Sequence, residues 1–238
     1  MEKINFVISP SQQDSNKTII KEPTADTEAE LTRLIGQTLF DILSFDARLN
    51  VCLVPDFNLG DDIQNLRTAI DHSNKFIRQN GGKGYHLDIH TDGGYNGHGA
   101  TGFYKTAAGA AFGKPIFDAI TALTPWDDMT FTKRDNLACL NQTDAVAYLQ
   151  EVSFHDKTEE AYWIYNNIHN IASALADGFY KGVGLEKYIV PKWQLDAFNE
   201  MVTAGIITNP TYWKNRLQYP ILTGEAIAIM NKIRKDKG

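Results

Sequence analysis

The chain has 238 residues, with 43% hydrophobic and 22% charged side chains, a balance that excludes a disordered polymer and allows a full core without staples. Two cysteines, Cys52 and Cys139, exclude a disulfide framework and a four-cysteine zinc site. No apolar run approaches the ~18 residues of a membrane span. The opening Met1-Glu2-Lys3 runs straight into Ile4-Asn5-Phe6-Val7-Ile8, which reads as a first strand rather than a secretion signal. Synthesis in the cytosol is the resulting expectation.

Net charge is −6 with histidine neutral, and it is unevenly spread. Residues 187–238 hold eight Lys/Arg against four Asp/Glu, a net +4, which leaves residues 1–186 at −10. Such asymmetry predicts two units, a body of residues 1–186 and a small unit of residues 187–238. An acidic body also argues against nucleic acid as its partner, since phosphate binding needs a basic footprint.

In chain order, residues 4–9 read as a strand that stops at Pro10, followed by a polar loop over residues 11–23. Thr27 precedes Glu28 and Glu30, and Leu31, Leu34, Ile35, Thr38, Leu39 and Ile42 follow at helical spacing. That is an amphipathic helix with a cap and an acidic first turn. Strands are predicted at residues 49–54, 85–90, 99–104 and 145–154, and helices at residues 61–79, 106–123 and 158 to about 181. The helix over residues 106–123 is rich in small residues, so it should pack closely on a sheet. Strands alternating with helices predict an α/β fold, a mixed, largely parallel sheet flanked by helices. Beyond Gly182-Val183-Gly184 the pattern turns helical, at residues 193–204 and 224–235.

Two stretches carry chemistry. In Leu87-Asp88-Ile89-His90-Thr91-Asp92-Gly93-Gly94 a histidine ends an interior strand and runs into a glycine-rich loop, where α/β enzymes place ligands. His86, Asp88 and His90 share one face on strand periodicity. In Ala147-Tyr148-Leu149-Gln150-Glu151-Val152-Ser153-Phe154, Glu151 lies within a strand that should be buried. A buried carboxylate is costly unless paired, bound to metal or kept protonated for chemistry. His155 and Asp156 read as surface-loop residues just past that strand, and Cys52 and Cys139 as core.

Three blocks in order resemble the zinc-dependent N-acetylmuramoyl-L-alanine amidases of type 3, which cleave peptidoglycan. They are Phe6-Val7-Ile8-Ser9-Pro10-Ser11-Gln12-Gln13 with Glu28 opening the next helix; Asp88-Ile89-His90-Thr91-Asp92 followed by Gly99-Ala100-Thr101-Gly102-Phe103-Tyr104; and Leu149-Gln150-Glu151-Val152-Ser153-Phe154-His155-Asp156. The resemblance covers residues 4–182. It implies that zinc is held by Glu28 and His90, and that Glu151 is the catalytic residue, a general acid and base for hydrolysis by zinc-activated water. The family's Pro-Gly-His is here Pro10-Ser11-Gln12-Gln13, a variant similar to clostridial and phage relatives. Gln13 is the expected third ligand, with Gln12 and Asp14 as alternatives. Thr101 stands where many relatives carry an acidic residue. Asp88 or Asp92 is placed to orient His90, and Asp92 also to cap the Gly93-Gly94 turn.

The implied substrate is peptidoglycan, with no nucleic acid and no membrane insertion. A wall hydrolase without an export signal implies action on the wall after release, as an endolysin acts. A degenerate amidase fold that binds wall without cleaving it is the competing reading. For residues 187–238 the expectation is either a stabilising extension or a wall-attachment unit. Tyr212, Trp213 and Tyr219 would then offer surfaces for sugar rings, and the net +4 would offset repulsion from a polyanionic wall.

Overall fold

The computed structural model describes residues 3–22, 25–44, 46–94, 97–187 and 192–207. The chain divides into two compact units, Met1–Lys187 and Tyr188–Gly238. In the second, a helix spans Lys192–Thr203 and ends where Gly205, at φ +69°, takes up the left-handed conformation that closes helices. The expected aromatic and apolar surface at Tyr212, Trp213 and Tyr219, the helix over residues 224–235, and the side chains of Trp193, Leu195 and Phe198 lie outside the described residues.

The first unit runs β1 (Ile4–Pro10), α1 (Glu28–Leu43), β2 (Leu49–Leu53), α2 (Asp62–Gln79), β3 (Tyr85–Asp92), β4 (Thr101–Tyr104), α3 (Ala107–Thr121), β5 (Thr130–Lys133), α4 (Ala138–Asn141), β6 (Val146–Phe154), α5 (Thr158–Asn166) and α6 (Ile168–Gly182). Its six strands form one sheet in the order β2-β1-β3-β6-β4-β5. Only β4 and β6 pair antiparallel; the other four pairings are parallel. The expected mixed, largely parallel α/β sheet is therefore the observed one. The chain leaves β1 for β2 on one side and returns to β3 on the other, so a crevice opens beyond the carboxyl ends of β1 and β3.

Burial on both faces makes β1 an interior strand, with Phe6, Val7 and Ile8 fully buried in succession. On one face Phe6 meets Phe179 of α6 at 4.1 Å between ring centroids and Phe112 of α3 at 6.4 Å. The expected close packing of α3 is realised by two glycines. A Cβ on Gly113 would stand 2.1 Å from the Tyr148 ring of β6, and one on Gly178 of α6 would stand 2.4 Å from Ile116 Cα. On the opposite face Val7 packs with Val54 and with Ala69 and Ile77 of α2. Ala147 and Leu149 of β6 pack there with Cys139 and Leu140 of α4.

Three features depart from the sequence reading. β5 and α4 were not anticipated: the first is a four-residue edge strand without a buried side chain, the second a single turn. The helix expected over residues 158–181 is broken at Asn167, where the side-chain amide donates to Trp163 O at 2.9 Å. An Asn that bonds the backbone in this way competes with helical pairing. Both cysteines are free, Cys139 buried as expected and Cys52 only partly so.

Asp46, in the turn before β2, ties α6 to the sheet edge. Its carboxylate accepts from Arg48 Nε at 2.8 Å, Arg48 Nη2 at 2.6 Å and Tyr180 Oη at 3.1 Å. Burial pushes this carboxyl up, but the Arg48 and Tyr180 hydrogen bonds outweigh it and hold it below the usual carboxylate range. A carboxylate depressed in this way stabilises the fold above its unfolded pKa of ~3.9 and loses that contribution as pH falls through the lower folded value. Asp46→Asn is expected to cost about 2 kcal/mol at pH 7. In urea titrations the gap from wild type should narrow as pH drops below ~4; a gap independent of pH would mean the charge is not what matters.

Candidate metal centre

Each side chain of the centre is delivered by the end of an element. Thr27 caps α1 in a reciprocal box: its hydroxyl accepts from Glu30 N at 3.1 Å, and its own N–H donates to Glu30 Oε2 at 3.0 Å. That fixes Glu28 as the first residue of the helix, with its N–H donating to Asn16 O at 2.8 Å. Sheet register does the rest. His90 of β3 pairs with Glu151 of β6, which in turn pairs with Thr101 of β4. Paired neighbours point to the same face. Between His90–Glu151 and Asp92–Phe154 the register slips, because β6 contains one more residue than β3 over that interval. The bulge bends β6 just past Glu151, a device common beside functional sites.

The result is a cluster in which ligand atoms of Glu28, His90 and Glu151 all lie within 4.8 Å of one another. His90 Nδ1 is 2.8 Å from Glu28 Oε1, and His90 Nε2 is 3.7 Å from Asp88 Oδ2. Thr91 N also donates to Glu28 Oε1, at 3.3 Å. Burial pushes the His90 imidazole down, but Glu28 and Asp88 outweigh it and hold it well above the usual histidine value. Glu28 is correspondingly held below its usual value, against its burial. Asp88 is likewise brought down to about 2 despite burial, by His90 first, then His86 and the Cys139 thiol. Glu151 goes the other way. Burial pushes it up to about 8, with His90 opposing and the Glu28, Asp92 and Asp88 carboxylates adding to the rise.

Glu151 Oε2 and Asp88 Oδ2 are buried atoms with no hydrogen-bond partner among the described residues. Buried polar atoms are rarely left so. The Glu28 carboxylate and the His90 imidazole form an oxygen and nitrogen pair that suits a divalent cation such as zinc, with the Glu151 carboxyl and its unpartnered oxygen beside them.

The three candidates for a further ligand separate clearly. Gln12 is committed to the backbone: its Nε2 donates to Pro10 O and Pro55 O, and its Oε1 accepts from Phe57 N. Asp14 Oδ2 accepts from Asn65, turned toward α2. Gln13 alone reaches the centre, with Nε2 3.5 Å from His90 Nδ1 and Oε1 accepting from Asn16 at 2.7 Å.

Gln13, His90 and Glu151 line two adjoining clefts. One, of about 520 Å³, is polar and continues past Ser15, Asn16, Lys17, Asp92, Gly94 and Asp156. The other, of about 280 Å³, is walled by Ile63, Leu66, Leu137, Ala138 and Leu149. An extended substrate lying across both would pass its middle over the cluster.

Other residues fall into place around it. Asp92 Oδ1 accepts from Gly93 N at 2.8 Å, the expected turn cap. His155 is not a surface residue: it is buried, and its Nδ1 lies 2.8 Å from Thr91 O, joining the ends of β3 and β6. His86, deeper on the same face, is a core imidazole that burial pushes below the usual histidine value, with Asp88 opposing. Sequence reasoning passed over Glu160. Buried in the first turn of α5, it accepts from Phe154 N at 3.2 Å, Gly99 N at 3.1 Å and the Ser153 hydroxyl, and meets His98 Nδ1 at 2.6 Å. It thereby ties the loop before β4 to the bulge of β6. A glutamate in a first helical turn right after a buried strand was the available signal.

No family model matches the sequence, nor does any curated protein. Solved structures do match. The catalytic domain of CwlV, an N-acetylmuramoyl-L-alanine amidase from Bacillus (Paenibacillus) polymyxa var. colistinus, is 16% identical with a TM-score of 0.63, covering 77% of this chain and 99% of its own. An N-acetylmuramoyl-L-alanine amidase from Clostridium difficile 630 is 19% identical with a TM-score of 0.60, covering 77% and 96%. The catalytic domain of the CD27L endolysin, which targets Clostridia difficile, is 18% identical with a TM-score of 0.57, covering 75% and 97%. At such identities the likeness speaks for architecture, and the architecture of this chain is that of the N-acetylmuramoyl-L-alanine amidase catalytic domains.

Proposed function

We propose that the chain is a zinc-dependent N-acetylmuramoyl-L-alanine amidase, hydrolysing the amide between N-acetylmuramic acid and L-alanine in peptidoglycan. The observation that carries this reading is the convergence of Glu28, His90 and Glu151, from a helix start and two neighbouring strands, within 4.8 Å. The convergence lies at the carboxyl edge of a sheet with the amidase architecture. Glu28, His90 and Gln13 would hold the zinc. When bound, zinc supplies Lewis-acid polarisation of the scissile carbonyl.

The chain's own groups do the proton work. Glu151 takes a proton from the attacking water and delivers it to the nitrogen of the leaving L-alanine as the C–N bond breaks. The products are the muramic acid carboxylate and a free amine. Burial raises this carboxyl to about 8 in the metal-free chain, and a bound cation would favour the ionised form that takes the proton from water. Asp88, 3.7 Å from His90 Nε2, acts on the imidazole through its charge. The polar and apolar clefts keep the two halves of an extended substrate on either side of the reacting bond.

The reading extends to action on the wall after release from the cytosol, and to wall attachment by residues 187–238. Likeness to an endolysin catalytic domain and the net +4 of that segment support it. Protein purified without chelator is expected to hold about one zinc per chain, one cation for one donor cluster. It should release amine termini from peptidoglycan suspensions, stop when zinc is stripped and recover when zinc is restored. Metal content near zero together with intact peptidoglycan would overturn the reading.

A further inference from the structure

Asn16, half-buried in the loop between β1 and α1, touches the centre through a single amide group. Its Nδ2 donates to Glu28 Oε2 at 2.7 Å and to Gln13 Oε1 at 2.7 Å. We infer that Asn16 is a positioning residue for the metal centre, one NH₂ group setting the orientation of two ligands at once. The inference rests on the metal-dependent reading above.

Hydrogen-bond polarity fixes the arrangement. An ionised carboxylate only accepts, so the side of Asn16 that faces Glu28 must be its NH₂. The same NH₂ has a second hydrogen, and it points at Gln13, which must therefore present its carbonyl oxygen. Turning Asn16 over would set its oxygen against the Glu28 carboxylate, and turning Gln13 over would set its NH₂ against that of Asn16; as they stand, Gln13 Nε2 lies 3.5 Å from His90 Nδ1. Glu28 is thereby divided: Oε2 is held by Asn16, and Oε1, 2.8 Å from His90 Nδ1, faces the cluster. Gln13 Oε1 keeps a second lone pair beyond the one given to Asn16.

This constraint matters most for Gln13. A glutamine amide is neutral, a weaker zinc ligand than histidine or carboxylate, and it ends a side chain with three rotatable bonds. Asn16 holds the Gln13 side chain in one rotamer beside His90, which removes part of the ordering cost of ligation through the free lone pair of Oε1. The Asn16 main chain has a separate task, accepting the Glu28 N–H. A side-chain substitution leaves that bond in place.

The test is zinc affinity, read by competition against a chromophoric chelator. Asn16→Ala is expected to bind zinc about 10- to 100-fold more weakly, the scale of losing an outer-shell partner. Unfolding of the metal-free protein should hardly change. Asn16→Ser offers one hydrogen where two acceptors wait, and its affinity should fall between; it carries the test if Asn16→Ala does not fold. Because Asn16 acts partly through Gln13, Gln13→Ala combined with Asn16→Ala should lose less than the two single losses multiplied. Wild-type affinity in both Asn16 variants would overturn the inference and leave the metal-dependent reading standing. Wild-type protein that binds no zinc would overturn both.

Discussion

Glu151→Gln is expected to keep the fold and the metal while lowering turnover on soluble muropeptide by about two to four orders of magnitude, the scale of a lost general acid and base. Glutamine matches the shape of glutamate but cannot take a proton from water or return one to the departing amine. The substitution should be benign for the fold. The carboxyl it replaces is half-buried, is pushed up to about 8, and has one oxygen with no hydrogen-bond partner among the described residues, so its ionised form is a cost to the metal-free protein. Unfolding temperature measured with chelator present should therefore stay level or rise. Zinc content should stay near that of wild type, since the variant retains Glu28, His90 and Gln13. Near-normal amine release by a folded, zinc-loaded Glu151→Gln would make Glu151 structural and require another base.

How far this centre can be read from the chain depends on how local each signal is. Glu28 follows from a capping pattern contained in four residues, Thr27 to Glu30, and the structure forms both bonds of that box. His90 and Glu151 are each visible as polar residues where an apolar strand should be. Their pairing is not visible, because it is set by the register of β3 against β6 and by the bulge after Glu151. The residues that went unread, or in the case of His155 were read as surface loop, have their meaning in distant partners. Asn16 is defined by Glu28 and Gln13, Glu160 by Gly99 and Ser153, and His155 by Thr91. The loop over residues 11–27 has no period to follow, since its conformation comes from hydrogen bonds that only the folded sheet supplies. β5 escaped for a related reason: with no side chain buried, it carries no alternation. Choosing Gln13 over Gln12 also needs the fold, where the backbone around Pro55 and Phe57 claims the Gln12 amide.

His90→Ala is expected to abolish both zinc retention and amidase activity, a loss well beyond the ~10- to 100-fold of an outer-shell change. It should also weaken the fold. His90 stands between two buried carboxylates, Glu28 at 2.8 Å and Asp88 at 3.7 Å, and its charge is a main reason both stay ionised against burial. Without the ring, Asp88 still has the His86 imidazole and the Cys139 thiol nearby, and Glu28 still has Asn16 and the Thr91 N–H. Breaking such a buried pair costs about 3–5 kcal/mol. The two losses can be separated. In the metal-free state wild type should be more stable than His90→Ala by that margin. With zinc added, wild type should gain further stability by mass action while the variant gains almost none. His90→Gln, which returns an amide to the space between the carboxylates, is expected to recover part of the fold's stability but no more than a trace of activity. Zinc-dependent stabilisation of His90→Ala equal to that of wild type would remove His90 from the ligand set and leave it as the counter-charge to Glu28 and Asp88.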